Sequence, residues 1–385
     1  DVLMNIVGPP LGKVSIVPDD YPEWNMNQAI VFFRTSHLYS NKLLCLWLRG
    51  EFAKKFFGQE AKATAGQYNV RTSKCRQLPI PVPPADEQRR IVARIEELTA
   101  RSKTAKQALQ AIPPLLEKFR QSVLAAAFRG DLTADWRLKN VGTPSADTFL
   151  AGVREELARN RLDKSQAKRS NDDRQLLGPA GSPALPTGWA WAKLEDITYN
   201  LDGRRIPLVA SERAKRRGPY PYYGASGVID GLNDFIFEGP HLLVAEDGAN
   251  LLSRRTPIAF VADGQFWVNN HAHVLLPAGG LPLAYLEHFI NSIDLSFIVT
   301  GSAQPKLTQK ALNQIVVPIA PVCEQREIAK MVDALFQASN SFAARAFAAL
   351  TDFSALESTL LAKAFRGELI PTSDESSDSA FGLRQ

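Results

Sequence analysis

The stretch ADEQRRIVARIEEL, residues 85–98, opens a segment that closes with LAAAFRGDL at residues 124–132. A second segment runs from VCEQREIAKMVDAL, residues 322–335, to LLAKAFRGEL, residues 360–369. The two segments match without insertion, since Glu-Gln-Arg and Phe-Arg-Gly both recur 237 residues later. Two copies in constant register predict an internal structural repeat.

Apolar or small residues in both segments recur at alternating spacings of four and three. Such a 3.5-residue period predicts coiled-coil helices, each roughly 65 Å long at the helical rise per residue. Pro113 and Pro114 interrupt the first copy only, and because the heptad phase continues through them we expect a kink. Arg followed by Gly at each end predicts a left-handed C-cap. A pair of ordinary core helices remains the alternative. The predicted seam consists of Ile91, Ile95, Leu98, Ser102, Ala105, Leu109, Ile112, Leu116, Phe119, Val123 and Ala126, and of Ile328, Val332, Leu335, Ser339, Phe342, Ala346, Ala349, Phe353, Leu356 and Leu360.

Length and composition limit the class of protein. At 385 residues the chain is expected to hold two or more domains. The formal charge of +5 allows a polyanionic partner without requiring one. No run of eighteen apolar residues and no secretory signal is found. Three scattered cysteines fit reduced thiols, so we expect a cytoplasmic protein.

The regions outside the long segments also repeat, since WVNNHAHVLL at residues 267–276 echoes WNMNQAIVFF at 24–33. Within residues 1–84 we expect short strands in DVLMNIV, KVSIV and AIVFFR, a helix over 43–57, and a strand in LPIPVPP. By the repeat, Asp1 corresponds to about His241, so we expect the first domain to lack its N-terminal part. The predicted domains are 1–84, the first helix 85–130, a polar linker 131–184 with a helix near 146–162, a second domain 185–321, the second helix 322–368, and a disordered tail 369–385.

The sequence contains no complete catalytic or metal-binding motif. GPPLGK at residues 8–13 has too few residues between its glycines for a phosphate loop, and Val14 replaces the required Ser or Thr. His271 and His273 could both ligate a metal, but a structural role is the stronger interpretation. The sequence therefore predicts no catalytic residue and no metal site.

Basic residues cluster in loops of both domains, where Lys and Arg neutralise phosphates and Arg reads guanine. Tyrosines interleave with the cluster at Tyr220, Tyr222 and Tyr223, although such a run is often only a solvated face. The predicted DNA-binding residues are Arg204, Arg205, Arg213, Lys215, Arg216, Arg217, Tyr222, Arg254, Arg255, Lys306 and Lys310 in the second domain, and Lys62, Arg71 and Lys74 in the first.

PVPPADEQRRIVARIEEL, LAAAFRGDL, the opening LPTGWAWAKLEDI and the duplicated layout resemble the DNA-specificity subunit of type I restriction–modification enzymes. The resemblance implies an α+β fold with two similar target-recognition domains, joined by two long antiparallel coiled-coil helices in a pseudo-two-fold internal repeat. It implies a non-catalytic chain that binds double-stranded DNA at a bipartite asymmetric site. Its implied partners are two methyltransferase subunits and restriction–translocase subunits. S-adenosylmethionine, ATP and Mg²⁺ would serve those partners, with no cofactor on this chain.

Two other functions remain open at this point. The chain could be the C-terminal specificity region of a single-chain restriction–methylation enzyme whose catalytic domains lie upstream, and the upstream open reading frame would decide this. It could also be a purely structural coiled-coil adaptor, which would show no salt-dependent binding to DNA.

Overall fold

Most of the chain is described by the computed structural model: residues 1–8, 10–20, 23–60, 62–64, 67–160, 184–301 and 304–369. The chain divides into two units, residues 1–113 with 342–385 and residues 114–341. We call these the first and the second unit.

The first unit begins with a three-stranded antiparallel sheet in the order β2-β1-β3. Its core is formed by apolar side chains of β1 and the following helices, including Val2, Met4, Leu48 and Phe57. The strands expected in the first 33 residues and the helical pattern over 43–57 are confirmed, with the helix divided at Gly50. The elements are β1 Val2–Asn5, β2 Val14–Ile16, β3 Ile30–Phe33, α1 Asn41–Arg49, α2 Glu51–Glu60, β4 Lys62–Thr64, β5 Gln67–Asn69, α3 Thr72–Cys75 and α4 Ala85–Gln110.

The second unit contains two four-stranded sheets, in the orders β10-β13-β8-β9 and β12-β11-β14-β7, and a β15-β6 pair. One large core joins the β12-β11-β14-β7 sheet and the β15-β6 pair to the surrounding helices, and a separate cluster that includes Phe237, Phe266 and Val274 joins the two four-stranded sheets. The elements are α5 Ile112–Arg129, α6 Ala134–Lys139, α7 Ala146–Asn160, β6 Ala190–Lys193, β7 Thr198–Asn200, α8 Ala210–Lys215, β8 Arg217–Gly224, β9 Gly227–Leu232, β10 Phe237–Glu238, β11 His241–Ala245, α9 Asn250–Ser253, β12 Ala259–Ala262, β13 Gln265–Val268, β14 Ala272–Pro277, α10 Leu283–Ser292, α11 Gln309–Asn313, β15 Val316–Ile319 and α12 Val322–Phe365. The part of α12 from residue 342 onward belongs to the first unit.

The long helices carry the predicted caps, and the first is divided at Ala111, two residues before Pro113. Ala111, between α4 and α5, keeps right-handed helical torsions (φ −79°, ψ −11°), so the break is short. Gly130 and Gly367 both adopt positive φ. At each end the glycine N–H and the next N–H bond back to carbonyls three and five residues earlier, which is the Schellman pattern.

The helices pack antiparallel within each unit. In the second unit, Arg120 of α5 bonds Asn340 of α12, whereas Thr133, beyond the end of α5, bonds Glu324 near the start of α12. In the first unit, residues of the first turns of α4 share a core with Leu361 near the end of α12. Most of the predicted seam is buried or half-buried, but Phe119 and Phe342 are exposed. Around Phe119 the buried stripe follows Val123, Leu124, Ala127 and Phe128, because α5 also packs on the core of the second unit.

Side-chain contacts repeat along with the sequence. Gln88 Nε2 donates to Pro83 O at 2.9 Å, and its counterpart Gln325 Nε2 donates to Ala320 O at 2.7 Å. Phe365 makes an edge contact with Trp47 of α1, and Phe128 makes one with Phe289 of α10. The internal repeat therefore extends from the sequence to the packing within each unit.

Two other regions bear on the sequence predictions. Helix α7 confirms the helix expected near 146–162, and it buries Leu150, Val153 and Leu157. The first part of the predicted linker also contains a helix, α6, whereas residues 161–183 of the linker and tail residues 370–385 lie outside the described residues. The strand expected in LPIPVPP was wrong, because residues 78–84 form no strand pairing in the first unit. Among the described helices, none has the length and apolar character needed to cross a membrane.

Candidate nucleic-acid interface

The densest group of basic residues lies on α8 and the β8–β9 hairpin of the second unit. The hairpin has a bulge, since Leu232 faces both Arg217 and Tyr220. Gly218 within that bulge packs against the opposite strand so closely that an added Cβ would lie 2.4 Å from the Asn233 Cα. A glycine is therefore needed there, and the bulge sets the direction of the hairpin end that carries the basic residues.

Arg213 and Arg216 are held on aromatic rings. The Arg213 guanidinium lies 5.3 Å from the Tyr222 ring centroid, and that of Arg216 lies 4.9 Å from the Trp267 centroid. These rings are neighbours, because β13 pairs with β8 so that Trp267 faces Tyr222. Stacking of this kind orients the guanidinium and leaves its edge available for hydrogen bonds.

Acidic residues pair with the same two arginines. Arg213 Nε donates to Asp230 at 3.0 Å, and Arg216 lies 3.6 Å from Asp234. The hydrogen bond from Arg213, together with the Gly231 N–H and nearby charge, holds the pKa of Asp230 below its ordinary value. Lys215 and Arg217 are exposed, and no ion pair is found for either among the described residues.

The structure separates the predicted set into accessible and engaged side chains. Tyr222 is buried, and its hydroxyl accepts from Leu208 N at 3.0 Å. It is 1% exposed, so the prediction of DNA contact is not kept for Tyr222. Tyr220 is half-buried beside Phe235. Arg204 is exposed, lies over Phe237 and donates to Ile236 O at 2.9 Å.

Arg205 belongs to a buried ion-pair network that sequence reasoning missed. Its guanidinium bonds Glu246 at 2.6 Å and lies 3.4 Å from Asp202. Lys306 pairs with the other oxygen of Glu246 at 3.1 Å. His273 Nδ1 lies 2.6 Å from Asp202, and its Nε2 lies 2.8 Å from Leu307 O. The network ties together segments near residues 202, 246, 273 and 306.

The charges of this network explain why the pKa values of its two carboxylates are lowered. Burial alone would raise the pKa of Asp202, but the hydrogen bond and charge of His273, with Val274 N–H and Arg205, lower it below the ordinary value. Burial likewise opposes the effect of Arg205, His273 and Lys306 on Glu246, whose pKa is also lowered. Both His273 nitrogens lie within hydrogen-bond distance of oxygen atoms, Nδ1 of Asp202 and Nε2 of Leu307.

Ligand atoms of Asp202, Glu246 and His273 lie within 4.8 Å of one another, which is close enough to consider a metal ion. Both carboxylates already pair with Arg205 or Lys306, and a cation between them would have to displace these side chains. We therefore interpret the group as a structural network, which agrees with the structural interpretation of His273. His271 pairs separately with Asp247 at 2.7 Å.

The remaining basic residues lie elsewhere. Arg254 adopts a left-handed conformation (φ 50°) and donates to Ile293 O at 2.6 Å. Burial lowers the pKa of Arg254, although Asp294 acts in the opposite direction. Arg254 and the exposed Arg255 line a cavity of about 210 Å³ with Arg120 and Glu287. Lys310 is exposed on α11.

In the first unit the predicted set lies around α3. Arg71 is exposed and immediately precedes α3, and the exposed Arg76 directly follows it. Lys74 pairs with Glu60 at 3.0 Å. The backbone of Lys62 lies in β4, but its side chain lies outside the described residues.

Comparison with known proteins identifies the family of this two-unit arrangement. The family profile described as the type I restriction modification DNA specificity domain matches residues 2–113 and 186–345. The chain belongs to this family.

Curated relatives in the type I specificity family match over different lengths. A putative type I restriction enzyme specificity subunit of Haemophilus influenzae is 35% identical over 38% of this chain and 37% of its own length. The StySPI specificity subunit of Salmonella potsdam is 25% identical over 88% of this chain and 65% of its own length. The EcoDI specificity subunit of Escherichia coli is 24% identical over 86% of this chain and 71% of its own length. The matched part of the chain thus spans 37% of the length of the first relative and 65% of the length of the second.

Solved structures share the fold of this type I specificity family member. A chain from a study of complex assembly and conformational transition of the type I R-M system has a TM-score of 0.63 at 18% identity, covering 95% of this chain and 82% of its own. The HsdS subunit of Thermoanaerobacter tengcongensis has a TM-score of 0.55 at 19% identity, and the match covers 86% of this chain and 71% of that subunit.

Proposed function

We propose that this chain is a DNA-sequence-specificity component of a type I restriction–modification system. The observation that carries the proposal is the family profile, which matches both halves of the repeat. Each half would bind one part of a bipartite asymmetric site in double-stranded DNA. The basic hairpin of the second unit supports this role, because Arg213 and Arg216 are oriented by aromatic rings while Lys215 and Arg217 are exposed.

The proposed mechanism is binding and positioning. Exposed Lys215, Arg217 and Lys310 would contact phosphates, and the ring-stacked arginines would present hydrogen-bond donors to base edges. The ion-pair network around Arg205 and Glu246 would hold neighbouring loops in place without contacting DNA. Chemistry on a base requires its extrusion from the stack, and a partner methyltransferase would perform that step.

The proposal extends to partners and cofactors. Two methyltransferase subunits would bind the chain, and restriction–translocase subunits would join the complex. The chain itself would be non-catalytic, so that S-adenosylmethionine, ATP and Mg²⁺ would act only in those partners.

The experiment is a titration of DNA binding against salt, with the full chain alone and with its methyltransferase partner. Replacing Lys215 and Arg217 with Ala should weaken binding and reduce the salt slope by up to about 0.9 for each lost phosphate contact. Lys106→Ala with Lys118→Ala, which removes two exposed cations from the long helices, is the matched control and should leave the slope unchanged.

Other outcomes would point to the alternative functions. Methyl transfer by the purified chain alone would contradict the non-catalytic role and favour a single-chain enzyme. Absence of salt-dependent DNA binding, alone and with the partner, would favour a structural adaptor.

A further inference from the structure

In the second unit, a cavity lies between α10, the two long helices and the loop that follows α9. Its volume is about 210 Å³. Helix α5 contributes Arg120, the loop contributes Arg254 and Arg255, α10 contributes Glu287, and α12 contributes Phe336. The cavity thus brings three guanidinium groups together with a half-buried carboxyl group, and an aromatic ring forms part of its wall.

The loop that carries two of these arginines is fixed at both ends. At one end, the Arg254 guanidinium donates to Ile293 O, just beyond α10, at 2.6 Å. At the other end, Asn291 Oδ1 of α10 accepts a hydrogen bond from Ile258 N at 2.9 Å. Arg254 has a positive φ of 50°, a conformation that residues other than glycine adopt rarely and that is often found at functional sites. The exposed Arg255 between these anchors is therefore held close to α10.

Arg120 reaches the cavity with one donor unused. Its guanidinium lies 5.6 Å from the Phe336 ring centroid, and its Nη2 bonds Asn340. The Arg120 Nε atom is buried, and it has no hydrogen-bond partner within the part of the chain that the structure describes. A buried donor without an acceptor is costly, so this group favours an oxygen atom of a ligand in the cavity.

The carboxyl group of Glu287 has no partner either, since no hydrogen bond or ion pair is found for it among the described residues. Burial, aided by the negative charge of Asp333, raises the pKa of Glu287 to about 7. A neutral carboxylic acid donates a hydrogen bond to an anion, whereas a carboxylate repels it. The other charged or titratable groups around Glu287 are Glu117 and Arg120 of α5, Arg254 and Arg255 of the loop, and His288 of α10, whose Nε2 lies 2.8 Å from Asp333.

The first unit has a cavity at the corresponding place, with a volume of about 420 Å³ and a different lining. The repeated ring contacts of Phe365 and Phe128 relate α1 to α10 by 242 residues, so Cys45 takes the place of Glu287. Thr99 takes the place of Phe336 by the 237-residue shift. The cavity therefore follows from the repeated packing of the helices, whereas the carboxyl group at this position belongs to the second unit.

We propose that the cavity of the second unit binds a phosphate group. Arg120 Nε and the Arg255 guanidinium donate hydrogen bonds to its oxygen atoms, and Glu287 donates a further one in its neutral form. Because the anion repels the ionised carboxylate, binding is coupled to uptake of a proton by Glu287. The proposal does not depend on the proposed DNA binding. A DNA backbone and a free phosphorylated molecule offer the same oxygen atoms, and competition by DNA separates these sources.

The probe is radiolabelled inorganic sulfate, a tetrahedral anion whose charge stays constant between about pH 6 and pH 8. Equilibrium dialysis with the full chain, at an ionic strength kept constant with chloride, measures its binding. We expect one sulfate per chain, with an affinity that falls as pH rises through the pKa of Glu287, by up to about tenfold per pH unit for one linked proton. Glu287→Gln keeps a hydrogen-bond donor but has no ionisable group, so its affinity should not change over this range.

Two further variants test the donors. Arg120→Gln and Arg255→Gln should each weaken sulfate binding at least about tenfold, because each removes a charge-assisted hydrogen bond. Arg255 is exposed, so its replacement should leave the fold intact even if that of Arg120 does not. Arg154→Gln, at an exposed arginine of α7, is the matched control and should bind sulfate as wild type does.

The proposal would be overturned if no sulfate bound above the chloride background, as expected for a cavity that holds only water. It would also be overturned if the Arg255 variant bound equally well, or if Glu287→Gln kept the pH dependence of wild type. Once binding is established, a saturating DNA duplex is added. Displacement of the sulfate by the duplex would identify the DNA backbone as the source of the phosphate, and continued binding would identify a small molecule.

Discussion

Replacing Glu324 with Gln tests whether the repeated Glu-Gln-Arg motif has different roles in its two copies. Glu324 is completely buried and accepts hydrogen bonds from Thr133 Oγ1 at 2.7 Å, from Trp189 Nε1 at 2.9 Å and from Arg137. A glutamine keeps the shape but turns one acceptor oxygen into an NH₂ group that faces a donor. It also leaves the Arg137 guanidinium without its counter-ion.

The expected loss is about 3 kcal/mol in the free energy of unfolding. Breaking a buried ion pair on one side costs about 3–5 kcal/mol, and the lower end applies because the Arg137 side chain is 25% exposed and keeps some hydration. Glu87→Gln changes the same motif residue in the first unit, where no partner is found among the described residues, and should cost less than about 0.5 kcal/mol.

Urea unfolding followed by tryptophan fluorescence measures both variants, and Trp189, Trp191 and Trp267 report on the second unit. Equal destabilisation by the two substitutions would refute the reasoning, because it would mean that the helix itself, rather than the buried donors, requires the carboxylate.

Two further predictions concern pH. Burial, aided by the charge of Asp333, raises the pKa of Glu287 to about 7, so the folded state should lose stability as pH rises from about 4.5 to 7. Glu287→Gln should therefore gain about 1–3 kcal/mol in unfolding free energy relative to wild type between pH 4 and pH 8, as measured by urea unfolding, and a constant difference would contradict this. The pKa of Asp202 is lowered, so its contribution is present at neutral pH and is lost as pH falls through the folded-state value, below about 4. Asp202→Asn should be less stable than wild type at pH 7, and an acid titration followed by circular dichroism should show this difference shrinking below pH 4.

The sequence predicted the elements whose pattern is local or periodic. The constant register of the two long segments, the Arg-Gly caps and the helix near residue 146 are all confirmed. These features depend on residues within one or two helical turns, so a single sequence contains enough information. The prediction of a strand in LPIPVPP was wrong for the opposite reason. A strand requires a partner, and in the second unit that partner, β6, lies more than a hundred residues away from β15.

The candidate interface was only partly predictable. The residue types of the basic loops indicate nucleic-acid binding, but nothing in the spacing of Arg204 and Arg205 distinguishes an exposed arginine from an engaged one. Arg205 pairs with Asp202 and Glu246, Glu246 pairs with Lys306, and Asp202 bonds His273, so four segments must fold together before the network forms. Its signal in the sequence is limited to isolated carboxylates near β-strand ends, which are common.

The arrangement of charges suggests how a recognition domain can vary its specificity without losing its fold. Arg205, His273 and their carboxylates bond to one another and to backbone groups, so their charges are neutralised inside the unit. Lys215, the last residue of α8, and Arg217, the first residue of β8, are instead exposed next to a hairpin whose geometry is set by Gly218 and by paired backbone. Substitutions at the exposed positions should therefore change phosphate or base contacts at little cost in stability, whereas substitutions in the network should act on stability first. In the proposed function, binding and folding therefore depend on different basic residues, even where two of them, Arg204 and Arg205, are adjacent in the chain.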